Sequence, residues 1–149
     1  MKEKWEYIKL ALIAILIIMP IRLWVAQPFI VSGASMEPTF ETGDYLIIDE
    51  FSYHFQNPQK GDVIVFRYPL DTSKFFIKRI EGMPGETVEY NGKEIILRDN
   101  EYFVLGDNTF ASSDSRMWGP VNEKLIIGRA LIRLWPINKL EVLPGESSN

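Results

Sequence analysis

Residues 87–97, TVEYNGKEIIL, join two β-rich runs through Asn91-Gly92. Asn-Gly suits a type I′ turn, because both central residues of that turn need positive φ. The stretch therefore predicts a hairpin, with strands at 87–90 and 93–97. The same alternation of short β-rich runs and turn residues extends to either side. Upstream lie 45–51 (YLIIDEF), 62–68 (DVIVFRY) and 75–81 (FFIKRIE). Downstream lie 101–105, 125–135 and 140–143, with Gly128 marking a bulge or bend in the longest run. The connections at 69–74 and 106–120 are polar, and the tail at 144–149 is expected to fray. After residue 28 little helical period is sustained. The reading is a mainly β protein: a compact antiparallel domain over 29–149, with about eight strands forming a barrel or coiled sheets.

The first 28 residues differ. The run at 10–21 (LALIAILIIMPI) holds no charge. Twelve helical residues rise about 18 Å, short of a hydrocarbon core of about 30 Å. The apolar segment extends over 7–28, however, and Lys9 and Arg22 near its ends can snorkel. Trp5, Tyr7 and Trp24 stand where an aromatic belt would lie, and membrane helices tolerate a proline such as Pro20. A cleaved secretory signal fits less well, since a cut after Ala26 would put Trp24 at −3. A core helix would show a polar face, which this run lacks. The expectation for 1–28 is a cytoplasmic tip followed by one uncleaved transmembrane anchor helix. Lys2, Lys4 and Lys9 place its N-terminus in the cytoplasm and residues 29–149 outside.

Composition narrows the chemistry. The chain has 149 residues, no cysteine, one histidine and a net charge of −4. Disulfides, thiolate metal sites and cysteine nucleophiles are excluded, and so is a zinc site of several imidazoles. A Ser-His-Asp triad could use only His54, in a run at 53–58 that reads as an exposed loop. The charge divides into +2 for residues 1–26 and −6 for the rest. An acidic domain without a basic stripe argues against nucleic-acid binding.

Three segments could carry chemistry. Ser35 lies in SGASMEPT (32–39), where Gly33 and Ala34 let a backbone approach closely; the same residues also suit a plain polar turn. Lys78 in an extended 75–81 shares a face with Phe76 and Ile80. On an apolar face its pKa falls through lost hydration, and Arg79 beside it would add to the fall; a neutral amine is a general base. The alternative is a lysine that snorkels out or pairs with a carboxylate. The third segment is Gly106-Asp107-Asn108, followed by SSDSR (112–116) and Trp118-Gly119. It reads as a surface loop of turn formers, or as a source of acceptors that orient the lysine, with Arg116 pairing Asp107 or Asp114.

Together these segments resemble type I signal peptidases in their Gram-positive form. An N-terminal anchor is followed in order by SGASMEPTF, GDVIVFRYP, KRIEGMPGE and GDNTFASSDSRMWG. The resemblance implies a membrane-anchored serine endopeptidase with a Ser-Lys dyad, cleaving signal peptides from exported preproteins after small residues at −3 and −1. Ser35 matches the nucleophile, Lys78 the general base, and Ser112 a hydroxyl that orients the lysine. Met36 and Pro38 match residues that shape the nucleophile turn. Arg79, Asp107, Asp114 and Arg116 belong with the residues that hold the site. Gly33 stands where Gram-negative members place a serine of the oxyanion hole, so the Ser35 N–H carries more of that work. Residues between Gly85 and Glu101 leave room for one hairpin, where larger members insert a subdomain. The implied partners are preproteins, the lipid bilayer and the secretion translocon, with no metal or cofactor. Three other readings compete: an inactive membrane-tethered paralogue that binds preproteins, a tethered β module for another ligand, and a self-cleaving SOS-type repressor, which would carry a DNA-binding region.

Overall fold

The computed structural model describes residues 2–24 and 26–142, with the side chains of 4–17 and 27–142. The expected frayed tail lies outside the described residues. Helix α1 runs over Lys2–Trp24. Among the described residues ten strands follow: β1 Ala26–Ile30, β2 Tyr45–Asp49, β3 Val63–Tyr68, β4 Asp71–Gly82, β5 Thr87–Tyr90, β6 Lys93–Ile96, β7 Glu101–Leu105, β8 Val121–Asn122, β9 Ile126–Trp135 and β10 Glu141–Val142. A short helix α2, Ser115–Trp118, precedes β8.

All pairings are antiparallel. The main sheet runs β1-β2-β9-β3-β4-β7-β8, with β10 on β9, and β5-β6 form a separate ribbon. That ribbon is the Asn-Gly hairpin. Tyr90 pairs with Lys93, and Asn91 and Gly92 take φ of 52° and 71°, as a type I′ turn requires. It is the one hairpin between Gly85 and Glu101.

Strand β3 explains why the sheet holds together. Its VIVF run is buried on both faces. Val63 and Val65 face a core of Val31, Met36, Phe40, Leu46, Ile48 and Ala130. Ile64 and Phe66 face a second core of Ile80, Tyr102, Val104 and Val121. A strand covered on both sides loses alternation and reads as continuously apolar. Gly128 lies at a register shift between β3 and β9, and a Cβ there would sit 2.3 Å from the Asp49 carbonyl oxygen. The bulge and the close approach both call for glycine.

The expected barrel does not close. The main path ends at β1 and β8, which do not pair. Among the described residues strand β1 bonds only to β2, and its Pro28 has no N–H to give a further neighbour. Strand β4 bonds to β7 only from Arg79 onward, so its first part has a partner on one side alone among the described residues. A groove therefore lies between the free edges of β1 and β4.

Other differences are local. Strand β4 starts at Asp71, so the expected loop at 69–74 is a tight turn followed by strand. Residues 72–74 are exposed and polar, and such a strand end carries no apolar signal. Strands β1 and β8 were not expected. The described side chains of α1, residues 4–17, are all exposed, which excludes the core-helix reading for them. Among the described residues no helix is long and apolar enough to cross a membrane.

Candidate active site

The segment after β1 is pinned before it reaches Ser35. The Val31 N–H donates to the Asp44 carbonyl (2.9 Å) and the Gly43 N–H to the Val31 carbonyl (2.9 Å). Gly33 takes φ 93°, a left-handed conformation that favours glycine, and its N–H donates to Thr42 Oγ1 at 3.0 Å. Met36 and Phe40 are fully buried and plug the following turn into the core. Pro38 sits exposed in that turn, after a cis peptide bond. Ser35 is left half-buried on the wall of the groove, and its N–H makes no hydrogen bond with any described residue.

Lys78 meets it from β4. On that strand Lys78, Ile80 and Gly82 form the buried row, and Lys78 is 4% exposed. Its Nζ donates to Ser35 Oγ at 2.8 Å and to the Ile77 carbonyl at 2.9 Å. Burial lowers the amine from its ordinary 10.5 to about 8, against the opposing pull of Asp114 and Asp107. Arg79 does not deepen that fall, because its charge is engaged elsewhere. It forms a bidentate pair with Asp107 (Nε–Oδ1 2.8 Å, Nη2–Oδ2 2.7 Å) and donates to the Gly61 carbonyl. An amine of this pKa beside a hydroxyl can accept its proton near neutral pH.

The loop after β7 braces both groups. Asp107 also accepts from Thr39 Oγ1 at 2.5 Å, tying the Ser35 turn to β4. The Asn108 N–H donates to the Ser35 carbonyl at 3.0 Å. Asp114 is fully buried, caps α2, and accepts from the Gly106 N–H and from Arg116 Nε and Nη2. Burial alone would raise its carboxyl; Arg116 and the backbone N–H groups of Gly106 and Arg116 outweigh that and hold it below the usual range. Arg116 thus pairs with Asp114, leaving Asp107 to Arg79. The Ser112 side chain packs against Gly106 rather than bonding to Lys78, whose bonds go to Ser35 and Ile77.

Three supporting residues were given no role by the sequence reading, although Gly106 and Thr39 lie in the segments it singled out. A Cβ on Gly106 would lie 2.2 Å from Ser112 Oγ and 2.5 Å from the Ser35 carbonyl oxygen. Arg133, buried in β9, donates to the Thr39 carbonyl at 2.7 Å and pairs with Asp44 at 3.3 Å. Thr39 joins both braces. An arginine inside an apolar strand was the available signal for Arg133. His54 is exposed, with Nδ1 beside the backbone carbonyls of Glu50 and Phe51, and has no part in this cluster.

The groove holds about 510 Å³. Leu46 and Val65 line it between residues 29–35 on one side and 74–78 on the other, and Ala111 and Ser113 line it too. Among the described residues there is no cluster of three or more His, Cys, Asp or Glu side chains able to hold a metal ion.

This architecture has known relatives. The family model for signal peptidase, peptidase S26, matches residues 4–100 and 96–135. A probable signal peptidase I-1 of Synechocystis sp. is 36% identical over 91% of this chain and 86% of its own. Signal peptidase I V of Bacillus subtilis is 30% identical, covering 86% of this chain and 96% of its own. The mitochondrial inner membrane protease subunit 1 of Xenopus tropicalis is 37% identical over 85% and 78%. The chain accordingly belongs to the signal peptidase family, peptidase S26, and is a serine peptidase of the type I signal peptidase class.

Proposed function

We propose that Ser35 and Lys78 form a Ser-Lys dyad that cleaves signal peptides from exported preproteins. The observation that carries this reading is the 2.8 Å bond between Lys78 Nζ and Ser35 Oγ, made by a buried amine whose pKa lies near 8. Neutral Lys78 takes the Ser35 proton as Oγ attacks the scissile carbonyl. The developing oxyanion lies against the Ser35 N–H, which is free for it; Gly33 offers no side-chain donor. The Lys78 ammonium then returns its proton to the leaving amine. Lys78 next activates a water, which releases the acyl group from Ser35. Ser112 supports the lysine through the loop rather than through a direct bond.

The free edges of β1 and β4 favour binding of the peptide as an added strand, with main-chain bonds setting register and alternate side chains entering shallow apolar pockets. Small residues at −1 and −3 follow from that shallowness. The apolar segment at 7–28, part of which lies beyond the described side chains, anchors the chain in the bilayer, with its N-terminus in the cytoplasm and the peptidase domain outside. This keeps the groove where the substrate's apolar segment leaves the membrane, beside the secretion translocon.

The full chain in proteoliposomes, given a preprotein with alanine at −3 and −1, tests the reading. Cleavage is expected, and Ser35→Ala should abolish it while the circular dichroism spectrum and the carbonate-resistant membrane association stay unchanged. Cleavage by Ser35→Ala would overturn the assignment.

A further inference from the structure

Strand β9 changes face near its end. Ile47 pairs with Ile132 but Ile48 with Ala130, so Leu131 is an extra residue on β9. A bulge of this kind re-aims the side chains beyond it. Gly128, Ala130 and Arg133 consequently form the buried row, spaced by two and then by three. Strict alternation would have turned Arg133 outward. Instead its guanidinium lies 5.3 Å from the ring of Phe40, in the core that also holds Met36.

There the guanidinium has four acceptors. Nη1 donates to the Thr39 carbonyl (2.7 Å) and to Asp44 (3.3 Å), Nε to the Lys139 carbonyl (3.0 Å), and Nη2 to Glu141. Thr39 ends the turn that begins at Ser35, and its hydroxyl donates to Asp107, which holds Arg79 beside Lys78. The nucleophile turn and the base strand are thus joined through one residue, and Arg133 fixes that residue's backbone. Two of the four acceptors come from 137–142, the short turn Ile137–Lys139 and β10. This segment buries little of its own, since Ile137, Leu140 and Val142 are all exposed. Its other bond into the fold runs from Lys139 Nζ to Glu41 (2.7 Å), just past the same turn. A buried ion pair is seldom worth more to stability than well-packed apolar side chains, so core stability alone does not account for Arg133.

We propose that Arg133 is a positioning residue for Ser35, and that 137–142 is a strap that holds Arg133 in place. This rests on the Ser35–Lys78 reading and adds a second requirement to it. The dyad needs its two side chains, and it also needs the C-terminal end of the fold to seat the turn that carries one of them. Arg133 touches neither substrate nor Lys78, so its loss should slow the chemical step without changing peptide binding or the titration of the base.

The test uses the full chain in proteoliposomes with a preprotein carrying alanine at −3 and −1. Wild-type cleavage, lost in Ser35→Ala, establishes the dyad independently. Arg133→Met keeps a long side chain but removes every donor. Its kcat per folded molecule should fall roughly tenfold or more, as expected when a reacting group is misplaced by about 1 Å, while KM stays near wild type. The midpoint of its kcat–pH profile should remain where wild type has it. Glu141→Ala, on the exposed strap, should lower kcat in the same way by a smaller factor. Thermal melts give the folded fraction of each variant. If Arg133→Met does not fold, Arg133→Lys, which keeps the charge but not the planar fork, replaces it with the same expectation. Wild-type kcat in the folded Arg133 variant or in Glu141→Ala, a loss confined to KM, or a displaced pH midpoint would overturn the proposal while leaving the dyad intact.

Discussion

Lys78 shows how a single side chain becomes a base. Its amine is removed from water on the inner face of β4, and no carboxylate among the described residues pairs with it directly. The cost of that burial gives a stability prediction. The folded pKa near 8 lies below the ordinary 10.5, so between those values the unfolded chain binds more protons than the folded one. Stability therefore rises with pH across that window and is lowest, relative to a neutral side chain, below about pH 8. Lys78→Met should be more stable than wild type at pH 7, by on the order of 1–3 kcal/mol, and the gain should shrink as pH climbs from 8 toward 10.5. Urea unfolding at a series of pH values measures it. A variant less stable at pH 7 would mean that the lysine's hydrogen bonds outweigh its desolvation.

At the scale of elements, two glycines hold segments in contact for different ends. Gly128 lets β9 lie against the Asp49 backbone; Gly106 lets the loop after β7 lie against Ser35. Alanine at either position collides with backbone and should cost about 1–3 kcal/mol of stability. Gly106→Ala should also lower kcat on the folded fraction by at least tenfold, on the order expected when a reacting group is misplaced by about 1 Å. Gly128→Ala should leave kcat per folded molecule near wild type. Stopped-assay kinetics with denaturation curves separate the two. The same elements show what a sequence reveals. Asn91-Gly92 was legible because only such residues take two positive φ values in succession, and β3 because burial on both faces leaves an unbroken apolar run. Strand β1 was hidden because AQPFI continues an apolar segment, and β8 because two residues make no pattern. Lys78 stood out by alternation. Asp107 did not reveal its partner, because choosing between Arg79 and Arg116 depends on how β4 meets the loop, a contact 28 residues apart.

Across the whole molecule, one open sheet places its chemistry where it fails to close. The gap between β1 and β4 leaves two unpaired edges, a groove between them, and Ser35 and Lys78 facing each other at one end. The cores on either side of β3 hold the walls apart, and the braces through Asp107, Asp114 and Arg133 fix the turn that carries Ser35. Such a frame delivers a neutral amine to a hydroxyl without histidine, which suits a chain whose one histidine is exposed elsewhere. The central claim is that this frame makes Lys78 a base at working pH. Its most direct measurement is the titration of Lys78 Nζ in the folded protein by nitrogen-detected NMR, with Lys78→Met identifying the resonance. Half-titration near pH 8 is the predicted result. Half-titration at the ordinary 10.5 would contradict the account.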